Sequence, residues 1–149
     1  AERVNPDALA ALRASTKQAV EDPSWERVRA RLEWLMFDNA DVHDDLVASR
    51  QAIYSTPEMS LGVDRILCLH TIEARKKSAV TPEEWGSITA PTMVLWTSHD
   101  PTAKVDVGAD LAGLIPGAKF VVMQDCGHWP QFEDPDTFNR IHIEFLLKG

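Results

Sequence analysis

Thr92-Met93-Val94-Leu95-Trp96-Thr97-Ser98-His99-Asp100 is the stretch on which the fold turns. Thr92 to Trp96 is a short apolar run rich in strand formers, and it follows Pro91. That is the pattern of a buried parallel strand. Asp100 lies just beyond it, where the strand gives way to a loop. Downstream, Val105 to Ile115 predicts a helix, Pro116-Gly117 a turn, and Lys119 to Met123 a second short strand. The loop Asp125-Cys126-Gly127-His128-Trp129 follows. Pro135 to Leu147 predicts a last helix, with Phe138, Ile141, Phe145 and Leu146 on one face. Strand, helix, strand, helix is the tail of a doubly wound parallel α/β sheet. Two strands do not make a stable parallel sheet, which needs neighbouring strands and two covered faces. The second half therefore reads as the edge of a larger sheet whose other strands lie outside this chain.

Upstream of Thr81-Pro82 the pattern changes to helices alone. Asn5-Pro6 is a start signal, with Asn as N-cap and Pro at the first helical position. Leu9, Leu12 and Val20 then form a weak apolar stripe. Asp22-Pro23 opens a second helix, carrying Trp25, Val28, Leu32, Leu35 and Met36 at spacings of three and four. A third helix is expected from about Asp41 to Tyr54, ending before Pro57. A fourth is expected from about Met59 into Arg75-Lys76-Lys77, whose charge suits a helix C-terminus. Two domains result: residues 1–80, helical, and residues 81–149, α/β.

The length of 149 residues is enough for a core, and 44% hydrophobic with 26% charged residues is ordinary for a globular protein. A net charge of -8 argues against a nucleic-acid or anionic-membrane surface. No apolar run reaches membrane-spanning length, and no signal peptide is visible. The expected location is cytoplasmic. Cys68 and Cys126 are expected to be free thiols, without metal-ligand spacing. The first residue is Ala, not Met, and position 1 is not expected to be the original start of translation.

Carboxyl ends of strands are where sites form in open α/β sheets. A buried Asp100 there can accept from a histidine Nδ1–H, fix its tautomer and stabilise the imidazolium. The alternative for Asp100 is a turn or capping role before Pro101. His128 follows the second strand and Gly127, whose freedom allows a close backbone approach. Its chemical role would be general base and then general acid. The arrangement puts Asp100 and His128 on neighbouring strand ends. His43, His70, His99 and His142 read as surface or structural. Cys126 is a poor nucleophile candidate, because positions two apart on one loop rarely face each other. His43 with Asp41, Asp44 and Asp45 reads as a charged helix start, and neither a metal nor a cofactor is implied.

Pro91 to Lys148 closely resembles the C-terminal part of α/β-hydrolases. Cys126 to Leu146, "CGHWPQFEDPDTFNRIHIEFL", looks most like the meta-cleavage product hydrolases. These cleave carbon–carbon bonds in 2-hydroxy-6-oxo-dienoates during bacterial aromatic catabolism. In that family Gly-His-Trp carries the triad histidine and the Trp lines the site, which the resemblance carries to His128 and Trp129. The triad acid follows an apolar strand and a short turn, as Asp100 does. The helical half resembles the family's lid. There an Arg contacts the carboxylate and enol end of the substrate, and Arg50 in "LVASRQAIY" matches it. A bidentate Arg–carboxylate pair is the physical reason. The sequence departs from the family in Gln51, where an aromatic is common, and in Pro101-Thr102-Ala103-Lys104, where Val-Pro is common.

The fold so implied is a helical lid followed by the last strands and helices of an α/β-hydrolase parallel sheet. The triad order in such enzymes is Ser, acid, His, with the Ser in a G-x-S-x-G turn. No such turn occurs here. Ser60 alone among the serines has Gly two positions on, but Glu58 replaces the first Gly and the segment follows a helix. The nucleophile and oxyanion loop are thus expected from an N-terminal segment, separated by nicking or gene splitting or simply lying outside this chain. The other expected partner is a small-molecule dienoate; homo-oligomerisation is open, and nucleic acid and membrane are not expected. The alternatives are another lidded hydrolase (esterase, epoxide hydrolase or dehalogenase) or a non-enzymatic fragment.

Overall fold

The computed structural model describes residues 6–148, and the described chain divides after Ala79 into two compact units. The Asn5 cap expected above lies outside the described residues, as does the side chain of His70.

The first unit is helical: α1 (Pro6–Glu21), α2 (Trp25–Glu33), α3 (Asp44–Tyr54), α4 (Pro57–Ile66) and α5 (Ile72–Ser78). Short 3₁₀ turns at Asn39–Asp41 and Leu67–His70 interrupt them. Val28, Leu32 and Val47 are almost fully buried and form the centre where α2 packs on α3. The expected second helix stops earlier than the apolar spacing suggests. Leu35 and Met36 are buried, but they lie in a turn whose amides both bond to the Leu32 carbonyl. A turn that keeps its residues facing the core preserves the spacing without the helix. The Asp38 side chain then accepts from the Ala40 amide and starts the 3₁₀ turn, so α3 begins at Asp44 rather than near Asp41. The expected fourth helix is two. Thr71 accepts from the Ala74 amide and caps a fresh start, α5, after the Leu67–His70 turn. Hydroxyl caps of this kind compete with helix continuation.

The second unit holds α6 (Pro82–Gly86), β1 (Met93–Thr97), α7 (Val105–Leu114), β2 (Lys119–Met123), α8 (Pro130–Glu133) and α9 (Pro135–Lys148). Thr81 caps α6 in a reciprocal box with Glu84, and Pro82 takes the first turn. β1 and β2 pair in parallel, from Met93 opposite Lys119 to Thr97 opposite Met123. α7 makes the crossover. It approaches β1 so closely that a Cβ on Gly108 would lie 2.5 Å from the Trp96 ring. Only glycine permits that approach. Val94, Ala112 and Ile115 form the core beneath Trp85, Ile88, Trp96 and Phe120. On α9, Phe138, Ile141 and Phe145 are half-buried, whereas Leu146 is 76% exposed. Leu146 follows Phe145 directly and is turned about 100° from it, off the expected face. Among the described residues no helix is long and apolar enough to cross a membrane.

Candidate active site

Both loops that leave the sheet do so from the carboxyl ends of adjacent parallel strands. They are stitched together by main chain. The Ser98 amide donates to the Met123 carbonyl (2.9 Å) and the His99 amide to the Cys126 carbonyl (3.0 Å). The Asp125 amide donates to Ser98 Oγ at 2.9 Å. Asp125 takes the left-handed conformation, φ 53, in this loop. Short polar side chains tolerate it best after glycine.

Asp100 uses its two oxygens differently. Oδ1 accepts from the Thr102 amide (2.7 Å), Thr102 Oγ1 (2.6 Å) and the Ala103 amide (3.2 Å). That locks the turn before α7. Oδ2 stands 2.8 Å from His128 Nδ1. The turn contacts and the hydrogen bond to His128 therefore belong to one arrangement. Trp96 braces it: Nε1 donates to the Ala103 carbonyl at 3.0 Å while the ring lies against Gly108. Burial raises the Asp100 pKa, but hydrogen bonds from His128 and Thr102 outweigh it and hold the carboxyl below its ordinary value. An ionised carboxylate only accepts, so His128 Nδ1 carries the proton and Nε2 is left as the basic nitrogen. The acid side chain is 14% exposed and the imidazole 39%. The carboxylate is thus shielded while the imidazole opens outward.

The loop around His128 is held by a residue that sequence reading passed over. Glu133 Oε2 accepts from the Gly127 amide (2.7 Å) and Oε1 from the Trp129 amide (2.9 Å). One carboxylate thus clamps the two amides that flank His128. Gly127 serves through this amide. Cys126 is buried beneath the loop at 1% exposure, which withdraws its thiol from chemistry. Trp129 is half-buried at the N-terminus of α8. His99 Nδ1 stands 2.8 Å from Ser98 Oγ. Ser60 lies inside α4, not on a strand-to-helix turn.

Arg50 belongs to the helical unit. It lies on α3, half-buried, with its guanidinium 5.9 Å from the centre of the Tyr54 ring. Among the described residues no group of three or more His, Cys, Asp or Glu is placed to hold a metal ion.

The model of the alpha/beta hydrolase fold matches residues 6–135. The chain belongs to that family. Two curated relatives sharpen the likeness. One is 2-hydroxy-6-oxononadienedioate/2-hydroxy-6-oxononatrienedioate hydrolase of Cupriavidus pinatubonensis, 31% identical over 84% of this chain and 42% of its own length. Another is 2-hydroxy-6-oxo-6-phenylhexa-2,4-dienoate hydrolase of Burkholderia cepacia, 34% identical over 86% of this chain and 44% of its own. The chain spans less than half the length of these relatives. Among solved structures, a meta-cleavage product hydrolase from Pseudomonas fluorescens superposes with a TM-score of 0.74 at 25% identity, over 84% of this chain and 46% of that one. A 2-hydroxy-6-oxo-6-phenylhexa-2,4-dienoate hydrolase from Rhodococcus reaches 0.78 over 98% and 51%; at 21% identity it speaks for the fold. The α/β-hydrolase fold implied by the resemblance is the fold found.

Proposed function

We propose that this chain is the C-terminal part of a serine-type hydrolase that cleaves a carbon–carbon bond in 2-hydroxy-6-oxo-dienoates. The observation that carries the reading is the 2.8 Å pair between His128 Nδ1 and Asp100 Oδ2 at adjacent strand ends. The activities for which the relatives are named supply the substrate class. Asp100 and His128 would be the second and third members of a triad. The serine would come from a preceding N-terminal segment, which would also add strands beside β1. Protonation of the dienol at C5 gives the 2-oxo tautomer. Water, deprotonated with help from His128 Nε2, then adds to the C6 carbonyl. The C5–C6 bond breaks, its electron pair passes into the 2-oxo-enoate as a dienolate, and the C6 fragment leaves as a carboxylate. The serine would act as nucleophile or as a partner to the oxyanion. Arg50 would hold the C1 carboxylate as a bidentate pair, and Trp129 would line the site.

The test is turnover of 2-hydroxy-6-oxo-6-phenylhexa-2,4-dienoate by the complete hydrolase, wild type and Arg50→Ala, beside a neutral ester. The expected loss is about 10- to 100-fold in kcat/KM on the dienoate and far less on the ester. Equal losses on both would remove the carboxylate role. Turnover of the ester with none of the dienoate would favour an esterase.

A further inference from the structure

The three donors on Asp100 Oδ1 differ in kind. The Thr102 amide (2.7 Å) and the Ala103 amide (3.2 Å) are main chain, and almost any pair of residues there would supply them. The third donor, Thr102 Oγ1 at 2.6 Å, depends on the side chain. It is the shortest of the hydrogen bonds to this carboxylate that are described above, that from His128 included. That length is typical of a hydroxyl donating to an ionised carboxylate, a charge-assisted bond of the stronger class. The carboxylate has no proton to return, so the hydroxyl is the donor.

The terminal torsion of an aspartate is broad, with no steep well to hold it. Left free, the carboxylate would turn about that bond and carry Oδ2 away from His128 Nδ1. Pro101, whose ring sets its own φ, fixes the course of the chain between Asp100 and Thr102. The hydroxyl then ties Oδ1 at a third point, and Oδ2 keeps its 2.8 Å contact with the imidazole. At 14% exposure of the acid side chain, solvent competes little for either oxygen. Burial raises the pKa of Asp100, and the bonds from His128 and Thr102 outweigh it.

We propose that Thr102 is a positioning residue of the site: its hydroxyl holds Asp100 in the orientation that aims Oδ2 at His128 Nδ1, and so keeps the imidazole in the tautomer with a free Nε2. This rests on the hydrolase reading and extends it to a residue outside the triad. Thr102 acts through Asp100 and is not itself a catalytic residue.

The test uses Thr102→Val, which keeps the shape and removes the donor, and Thr102→Ser, which keeps the donor, in the complete hydrolase. Thr102→Val should lower kcat on 2-hydroxy-6-oxo-6-phenylhexa-2,4-dienoate about 10-fold and leave KM near its wild-type value. Thr102→Ser should recover most of that loss. An unaltered kcat in Thr102→Val, or a loss that Thr102→Ser does not recover, would overturn the proposal. A lowered Tm with unaltered kcat would make Thr102 a contact of the turn alone. A second measurement is independent of the reaction. Nitrogen chemical shifts of the His128 ring, read by NMR where the ring is neutral, should place the proton on Nδ1 in the wild type. In Thr102→Val they should move toward the tautomer protonated on Nε2. If that change appears while the wild type turns over no dienoate, the positioning role stands and the proposed reaction falls. The same tautomer population in both proteins overturns the positioning role, whatever the activity.

Discussion

The two units close their cores in different ways. In the helical unit Val28 and Val47 are wholly buried, and α1, α2, α3 and α4 pack on one another to enclose the core. In the sheet unit two paired strands carry mostly half-buried side chains, and α9 leaves Ile143, Leu146 and Leu147 exposed. Helices satisfy their main chain internally, so a few of them can complete a core. A parallel strand has two edges and two faces to satisfy. The site nevertheless sits on the less enclosed unit. It survives there because its order is local: Asp100, Thr102, Trp96 and Glu133 fix the two loops by short hydrogen bonds that need no further strand.

Mutations can break that contrast. Leu32→Ala should destabilise the helical unit by about 2–5 kcal/mol, read by denaturant unfolding, because a nearly sealed core cannot collapse around the gap. A loss below about 1 kcal/mol would show that the helical core is looser than its burial implies. Gly108→Ala should cost about 1–3 kcal/mol, since the new methyl meets the Trp96 ring. It should also disturb the Asp100 turn through the Trp96–Ala103 bond, visible as changed amide shifts at Thr102 and Ala103. A neutral effect would mean α7 is free to slide. Glu133→Gln keeps the size but replaces one accepting oxygen with a donor. It should lower turnover about 10-fold, worth about 1.4 kcal/mol, mainly in kcat and with little loss of Tm. A fall in Tm with unaltered kcat would make Glu133 a brace for the fold alone.

The smallest effect concerns acid. Asp100 is held below its ordinary pKa, so the folded protein binds that proton more weakly than the unfolded chain does. Its contribution is fully present above the unfolded value of about 3.9 and is lost as pH falls through the depressed folded value. The stability gap between wild type and Asp100→Asn should therefore be constant near neutrality and narrow below about pH 4. A gap independent of acid would contradict the bond from His128.

The dyad was legible from sequence because strand ends in a parallel sheet are adjacent wherever the crossover is a single helix. Asp100 and His128 needed only that topology. Glu133 was not, since a Glu four residues after Trp129 looks like any charged helix position until both its oxygens are seen on amides. The helix breaks after Glu33 and Ile66 were masked by apolar spacing that continues through tight turns. Thr71, before α5, and Asp38, at the 3₁₀ turn after α2, carried the corresponding start signals, and both are readable as caps.

The most direct test of the dyad is turnover of 2-hydroxy-6-oxo-6-phenylhexa-2,4-dienoate by the complete hydrolase carrying His128→Ala. Turnover should fall about 10²- to 10⁴-fold, with Tm close to that of the wild type. Near-normal turnover by a folded His128→Ala protein would contradict the role of Asp100 and His128 as acid and base of the site.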